Sequence, residues 1–250
     1  MDTALYLIPV TLGGGDVHRV LPGYNHDVVC SIRHFIVENV RSARRFLKAV
    51  DKSIDIDALT FRELNEHTAL SSISHYLDPL EKDGESIGVI SEAGCPAVAD
   101  PGAAVVEMAQ RKGLRIVPLV GPSSIIMSVM ASGFSGQSFA FNGYLPVKDG
   151  ERSSRLRKLE GRAWSEGQTQ LFIEAPYRNV KMFSSIISSC RPDTRLCIAA
   201  GLTTEQEWVR TKTVAEWKKF PLPEIENAVS KIPAIFLLYR GSSTNCHNIV

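Results

Sequence analysis

The chain has 250 residues, of which 44% are hydrophobic and 22% charged, a composition typical of an ordinary globular protein with one large or two modest domains. Its net charge of +1 is too small for the protein as a whole to attract nucleic acid electrostatically. Any basic surface that binds nucleic acid must therefore be a local patch. The opening run ALYLIPV predicts a buried strand rather than a signal peptide, and the two prolines and four serines within residues 114–132 exclude a membrane span there.

The first half of the chain alternates predicted strands and helices. The predicted strands are residues 4–10, 32–37, 87–90 and 114–120. The predicted helices are residues 41–50, residues 69–80, a segment from Asp100 to Gly113, and one from Ser123 or Ser124 to Gly133. Asp100 and Pro101 suit the N-cap and first position of the third helix. Repeated strand, loop and helix predict a largely parallel sheet with helices on its faces.

The second half is predicted to be mixed, with antiparallel strands towards its end. It begins with the run SFAFNGYLP, which is followed by a basic stretch at 148–162. Its predicted strands are residues 170–175, 195–200, 208–213 and 234–239, with a helix at 179–190. We place the boundary near residues 117–123. The predicted organisation is a domain of residues 1–117, a second domain of residues 118–241 and a polar tail of residues 242–250.

Several common site motifs are missing from the sequence. GxGxxG, GxxxxGK[ST], HExxH and GxSxG do not occur, which argues against the usual dinucleotide, triphosphate, zinc-protease and hydrolase sites. The histidines are scattered, so we expect no metal site, because zinc needs three or four converging ligands. The five widely spaced cysteines form no CxxC pair and favour reduced thiols in the cytoplasm: Cys30, Cys95, Cys190, Cys197 and Cys246.

Three loops follow predicted strands and carry glycine and proline: SEAGCPAVADP (91–101), VGPSS (120–124) and FNGYLP (141–146). Such loops expose backbone amides to a ligand at the carboxyl edge of an α/β sheet. Together they predict a composite small-molecule cleft. Glu92 has the stronger functional claim because it directly follows a buried strand, whereas Asp100 serves as a helix cap, as a ligand contact, or as both.

Two groups of basic residues predict either phosphate-contacting surfaces for RNA or solvated helix faces. The first group is Arg152, Arg155, Arg157, Lys158 and Arg162, and the second is Arg41, Arg44, Arg45 and Lys48.

Four segments resemble the tetrapyrrole methylase superfamily in their order and spacing: SEAGCPAVADPG, VPLVGPSS followed by SVMASGF, FAFNGYLP and IEAPYR. The likeness is greater to the branch that 2′-O-methylates a cytidine of small-subunit ribosomal RNA. This resemblance implies two α/β domains of the class III methyltransferase type, with S-adenosylmethionine bound in the cleft between them. It also implies a homodimer and no metal.

The resemblance assigns cofactor contacts residue by residue. They would be Pro9, Glu92, Ala93, Gly94, Asp100, Ser123, Ser124, Phe141, Asn142, Gly143 and Glu174. The family's S-D-A-G-T-P is SEAGCP here, and its N-terminal P-T-P-I-G-N and E-D-T-R are PVTLGGG and ENVR. The acceptor-side motifs are therefore the more altered, and methyl-donor binding follows from the resemblance more directly than the identity of the acceptor.

For catalysis, we take Glu38 as the acceptor of a ribose hydroxyl proton and Arg41 as the contact to an acceptor phosphate. Glu92 and Glu174 are rival bases or cofactor ligands, and Glu174 with Arg178 alternatively forms a surface ion pair. The partner is RNA, held through Arg152, Arg155, Arg157 and Lys158. The alternatives are a methyltransferase for a tetrapyrrole or other small molecule, and a paralogue that binds S-adenosylmethionine without catalysis.

Overall fold

The structure is a computed structural model that describes residues 2–65, 68 and 70–241, so the predicted tail 242–250 lies outside the described residues. The chain divides into two compact units, the first ending at Ser123 and the second beginning at Ser124.

The first unit is built on a five-stranded sheet of order β3-β2-β4-β1-β5. Its strands are β1 (Leu5–Ile8), β2 (His34–Val37), β3 (Thr60–Glu63), β4 (Ile87–Ile90) and β5 (Ile116–Pro118). Every neighbouring pair is parallel, which confirms the predicted parallel sheet. Alternate residues of β1 enter different hydrophobic clusters, Tyr6 on one face of the sheet and Leu5 on the other. Burial on both faces explains why the central strands are continuous apolar runs.

Helices cover this sheet. They are α1 (Gly23–Ser31), α2 (Val40–Val50), α3 (Asp78–Lys82) and α4 (Ala103–Arg111), with 3₁₀ helices at Val17–Arg19, Ile56–Ala58 and Leu70–His75. The prediction of one helix over residues 69–80 was wrong for its described part, because a 3₁₀ helix is followed by the separate α3. Pro79 has no backbone N–H and suits the first turn of a helix, so α3 begins beside it.

The predicted start of α4 was also wrong. The helix begins at Ala103 with Gly102 as its N-cap, and Asp100 and Pro101 belong to the preceding turn. Helix α1 and edge strand β3 were not predicted. Strand β3 reads TFRE and none of its residues is fully buried, so it lacks the apolar pattern of a core strand.

The second unit contains a five-stranded sheet of order β6-β7-β10-β8-β9. Its strands are β6 (Phe139–Tyr144), β7 (Thr169–Ile173), β8 (Arg195–Ala200), β9 (Trp208–Thr213) and β10 (Ala234–Tyr239). Strands β6 and β7 are parallel and the other neighbouring pairs are antiparallel. This arrangement confirms the predicted mixed sheet.

The helices of the second unit are α5 (Ser124–Ser132), α6 (Asp149–Glu166), α7 (Asn179–Ser189), α8 (Val214–Trp217) and α9 (Leu222–Val229). Its main core surrounds Trp217, which is 1% exposed and lies against Phe183 and Phe220. In the described ranges of the chain, no helix has both the length and the apolar character required to span a membrane.

Candidate functional site

Three loops of the first unit leave neighbouring parallel strands at the same edge of the sheet. They follow β4, β1 and β5. The N–H of Val10 donates a 2.9 Å hydrogen bond to the carbonyl of Gly94, which joins the loops after β1 and β4. The thiol of Cys95 donates to the carbonyl of Pro122 at 3.5 Å, which joins the loops after β4 and β5. The carboxyl edge therefore brings the segments 91–101 and 120–123 together.

Gly94 and Gly121 lie where these loops approach each other closely. Gly94 has φ +68°, and a Cβ there would lie 2.9 Å from Leu12 Cδ2 and 3.2 Å from the Pro122 carbonyl oxygen. A Cβ on Gly121 would lie 2.2 Å from Cγ of Pro9, whose side chain is buried. These separations are shorter than ordinary van der Waals contact, so both positions require glycine, which has no Cβ. Sequence reasoning selected Pro9 and Gly94 but did not single out Gly121.

The loop after β4 contains two alanines in the left-handed region, Ala97 with φ 65° and Ala99 with φ 54°. Such conformations cost about 1–3 kcal/mol each and persist where surrounding contacts impose them. The Asp100 carboxylate supplies such contacts, since its Oδ1 accepts hydrogen bonds from Ala97 N at 3.1 Å and Gly102 N at 2.7 Å. Asp100 therefore shapes the loop rather than capping α4. No signal in the sequence marks the alanines as left-handed.

Two residues at the start of this loop face solvent, Glu92 and Ala93. Within the part of the chain that the structure describes, the Glu92 carboxylate takes part in no hydrogen bond or ion pair, so this charge is available to a ligand. Cys95 is half-buried, and burial raises the pKa of its thiol, which disfavours a reactive thiolate. Cys95 is therefore a packing residue of the loop rather than a nucleophile.

The proposed catalytic pair lies at the end of β2. Glu38 is half-buried and, with Asp100, lines a crevice of about 10 Å³, which holds roughly one water molecule. Asn39 caps α2 by accepting a 3.1 Å hydrogen bond from Ser42 N. Arg41 is exposed on the first turn of α2. The crevice is too small for a substrate, so an acceptor would meet Glu38 from outside it.

Helix α2 separates its apolar and basic side chains cleanly. Ala43, Leu47 and Val50 are buried. The basic side chains are all exposed on the rest of the helix: Arg41, Arg44, Arg45 and Lys48. This group, called here the α2 basic face, presents four cations from one short helix.

In the second unit, Ser124 is the first residue of α5, and Ser123 precedes it, as predicted for a helix start. Helix α5 ends before Gly133, which has φ +71° and suits the turn that follows. The assignment of both serines as cofactor contacts stays a prediction.

The segment Phe141–Gly143 lies at an irregularity in β6. The pairing register with β7 shifts between Phe141 and Tyr144, and Gly143 has φ +61°. Asn142 Nδ2 donates to the carbonyls of Ala140 and Leu171 and to Gln170 Oε1, at 3.1–3.2 Å. Its Oδ1 accepts from Arg155 Nη2 at 3.1 Å. The Asn142 side chain thus holds the irregular strand together.

Glu174 forms a buried ion pair with Arg178. The Glu174 side chain is 2% exposed, and its Oε1 accepts from Arg178 Nε at 2.9 Å and Nη2 at 2.6 Å, and from Ala175 N at 2.7 Å. These hydrogen bonds to Glu174 raise the pKa of the Arg178 guanidinium. The ion pair that the sequence suggested is therefore present, although it is buried rather than on the surface. A carboxylate that is buried and already bonded to a guanidinium is poorly placed to meet a substrate hydroxyl, which weakens Glu174 as a rival to Glu38.

The prediction that Arg152 contacts RNA was wrong. Its side chain is 2% exposed. The guanidinium donates to Asp149 Oδ1 at 2.6 Å, to Ser185 Oγ at 2.9 Å and to the Val147 carbonyl at 2.6 Å. Arg152 lies one turn before the buried Leu156 on α6, so the helical spacing assigns it to the core face.

The rest of the predicted α6 patch is divided. Arg155 is half-buried and bonded to Asn142, whereas Arg157 and Lys158 are exposed. Arg162 is exposed but bonds Glu166 and Gln168. Of the basic residues predicted on α6 to contact phosphates, Arg157 and Lys158 are therefore the two that remain as candidates.

No family model matches this chain. A protein named ribosomal RNA small subunit methyltransferase I from Thermotoga maritima is 32% identical over 177 residues, 69% of this chain and 75% of that protein. A protein of the same name from Vibrio cholerae is 29% identical over 214 residues, 85% of this chain and 69% of that protein. The crystal structure of the methyltransferase CobJ has a TM-score of 0.62 and 14% identity and covers 98% of each chain, a likeness of fold alone.

Proposed function

This chain belongs to the family of ribosomal RNA small subunit methyltransferase I, within the tetrapyrrole methylase superfamily, and on that premise we propose the donor and acceptor of its methyl transfer. The donor is S-adenosylmethionine, and the acceptor is a ribose 2′-hydroxyl of small-subunit ribosomal RNA. The proposal is supported by the relatives, which are named as ribosomal RNA methyltransferases. The structural feature that supports it most is the set of loops in the first unit.

The loops after β1, β4 and β5 suit a nucleoside ligand. Gly94 and Gly121 have no side chains, so the loops can approach each other closely where they meet. Ala97 and Ala99 have left-handed backbone conformations, so the backbone of the loop after β4 is not extended there. Glu92 adds an exposed carboxylate beside them. Backbone donors and acceptors with one charged group can fix the orientation of a polar small molecule. The residues present therefore fit the proposed donor.

S-adenosylmethionine supplies, when bound, a sulfonium-activated methyl group that an oxygen nucleophile takes as the carbon–sulfur bond breaks. The protein contributes mainly by positioning, because an in-line attack needs the nucleophile, methyl carbon and sulfur aligned. We assign Glu38 to accept the proton that the ribose hydroxyl loses. Arg41, three residues later on the first turn of α2, is assigned to hold the adjacent phosphate.

The α2 basic face supports RNA as the acceptor. Its four cations lie on the helix that begins two residues after Glu38, so a polyanion bound along α2 brings ribose groups to the end of β2. Contacts of this kind recognise the phosphate backbone without reading sequence. A second basic surface on α6, formed by Arg157 and Lys158, adds phosphate contacts in the second unit.

The decisive experiment supplies methyl-labelled S-adenosylmethionine with unmodified small ribosomal subunits, free ribosomal RNA or a tetrapyrrole. We expect label in the RNA, and a 2′-O-methyl nucleoside after digestion and mass spectrometry. Label in the tetrapyrrole alone would replace the proposal with the small-molecule alternative. Binding of S-adenosylhomocysteine without transfer to any acceptor would favour the non-catalytic paralogue.

Glu38→Gln tests the assigned base. We expect methyl transfer to fall by about 10²–10⁴-fold, while calorimetric affinity for S-adenosylhomocysteine changes little, because Glu38 acts on the acceptor. The matched control is Glu107→Gln on α4, where the exposed carboxylate pairs with Arg111. Equal rates for Glu38→Gln and the control would remove Glu38 from the mechanism.

We also propose a homodimer acting in the cytoplasm, where ribosomal subunits are assembled. Met130 is 77% exposed and Ile126, one turn earlier on α5, is 47% exposed. Exposed apolar side chains on one helix face favour contact with another protein surface. Light scattering coupled to gel filtration measures the mass, and a monomer at micromolar concentration would contradict this assignment.

A further inference from the structure

A second polar cluster lies in the first unit, on residues that none of the predicted site assignments includes. It consists of His26 and Cys30 on α1 and Asp51 at the end of α2. His26 and Cys30 are one helical turn apart and therefore project from the same side of α1. The sequence argued against a metal site because histidines and cysteines are scattered, but α1 and the end of α2 bring these three residues together.

The three ligand atoms have the spacing of a tetrahedral zinc site. His26 Nε2 lies 3.1 Å from Asp51 Oδ2, Cys30 Sγ lies 3.7 Å from His26 Nε2, and Cys30 Sγ lies 3.9 Å from Asp51 Oδ2. Zinc bonds of about 2.0–2.3 Å place neighbouring ligand atoms of a tetrahedron roughly 3.3–3.6 Å apart. Shifts of a few tenths of an ångström would satisfy that geometry.

Two further contacts orient the ligands as metal sites require. His26 Nδ1 lies 3.2 Å from Asp27 Oδ1, so Nδ1–H can donate to this carboxylate and leave the lone pair of Nε2 for a metal. The other oxygen of Asp51, Oδ1, accepts a 2.7 Å hydrogen bond from Ser53 N. A histidine that donates its second ring N–H to a carboxylate is the usual arrangement around protein-bound zinc.

From these contacts we propose that His26 Nε2, Cys30 Sγ and Asp51 Oδ2 bind one Zn²⁺ ion. The combination of imidazole, thiolate and carboxylate suits zinc better than magnesium or calcium, which take oxygen ligands. Three protein ligands leave one coordination position for water or for a small ligand. A cavity of about 240 Å³ is lined by His26, with His18 and Asn25 among its other lining residues.

The ion would join α1 to the end of α2. Asn25, beside His26 on α1, is buried, and its Nδ2 donates a 2.9 Å hydrogen bond to the Val120 carbonyl in the loop after β5. A metal that holds α1 in place therefore also fixes one of the loops of the candidate site. Metal binding is measured directly, so the test does not depend on methyl transfer.

The alternative is a hydrogen-bonded trio without metal. In that state the hydrogen bonds from His26 to Asp27 and Asp51 raise the pKa of His26 and stabilise its imidazolium form. Zinc binding would displace that proton and the proton of the Cys30 thiol.

Cobalt(II) substitution in the full, tag-free chain separates the two cases. Cys246 lies outside the described residues, so Cys246→Ser is the background in which Cys30→Ser and the control Cys95→Ser are compared. Cys190 and Cys197 are buried, with thiol pKa values raised by burial to about 12 and about 11, and do not compete for metal. We expect one Co²⁺ per chain, with a thiolate charge-transfer band and tetrahedral visible bands that Zn²⁺ removes.

The variants decide the assignment. Cys30→Ser should abolish the charge-transfer band and the rise in melting temperature with Zn²⁺, whereas Cys95→Ser should keep both. Asp27→Asn should weaken zinc binding about 10–100-fold without removing the band, because Asp27 positions the imidazole. An absent band, or a band unchanged in Cys30→Ser, would show a hydrogen-bonded trio only and overturn the proposal.

Discussion

Replacing Gly121 with alanine tests whether the close approach of the loops after β1 and β5 determines donor binding. The new Cβ would lie 2.2 Å from Cγ and 2.3 Å from Cβ of Pro9. The Pro9 ring is rigid and buried, so it cannot rotate away, and the two backbones must separate. Reaching the 3.4 Å of ordinary contact from 2.2 Å requires a movement of about 1.2 Å.

A movement of that size has two measurable consequences. Overpacking of a tight contact costs about 1–3 kcal/mol, and each kcal/mol lowers the melting temperature of a chain of this length by roughly 2–4 °C. Misplacing the loop by about 1 Å should also lower methyl transfer by roughly 100-fold. Affinity for S-adenosylhomocysteine, measured by calorimetry, should fall with it.

Gly14→Ala provides the control in the loop after β1. A Cβ at Gly14 meets nothing within 4 Å, and its φ is not in the left-handed region. This variant should therefore retain the parent melting temperature, donor affinity and rate. If Gly121→Ala behaved like Gly14→Ala, the close approach would have no bearing on donor binding and the assignment of these loops would lose its structural support.

Three further predictions concern residues of α6. Arg152→Met should lower stability to urea by about 1.5–3 kcal/mol through lost charged hydrogen bonds and leave the salt dependence of RNA binding unchanged. Exposed Arg157→Met should change stability by less than about 0.5 kcal/mol and reduce the salt slope by about one; the reverse pattern would contradict the assignment. Lys181 and Arg152 lower the pKa of Asp149, so its stabilisation is complete above the usual value of 3.8 and disappears as pH falls through the lowered pKa. Asp149→Asn should destabilise the protein at pH 7 but not in strong acid, as urea titrations at both pH values would show.

The parallel sheet could be predicted because its central strands carry their signal locally. Strand β4 is buried on both faces and reads IGVI, a run that needs no tertiary knowledge to recognise. Edge strand β3 gives no such signal because one side of it faces solvent. Helix starts were harder, since Asp100 has the side chain of an N-cap but uses it to close the preceding turn. Local chemistry there permits both structures, and packing selects one.

The roles of individual side chains could likewise be predicted where the signal is local in the sequence, and not where it depends on tertiary packing. The spacing of Arg152 from Leu156 and Leu159 on α6 was visible in the sequence and would have placed Arg152 on the core face. The cluster of His26 and Asp51 was not visible, because their 25-residue separation is bridged only by the packing of α1 against the end of α2. Long-range meetings of this kind depend on topology, which no local pattern specifies.

The two sides of the proposed reaction depend on different parts of the chain. The loop after β4 departs from the family pattern at Glu92 and Cys95, yet Glu92 is exposed and the Cys95 thiol donates to the Pro122 carbonyl within the protein. Its form is instead determined by backbone conformation at Gly94 and by the hydrogen bonds of Asp100. Side-chain substitutions at exposed positions leave such a loop intact. The acceptor side, in contrast, relies on side chains at the end of β2 and the start of α2, where a changed residue directly changes the chemistry. We therefore expect donor affinity to resemble that of the relatives even where the choice of target nucleotide differs.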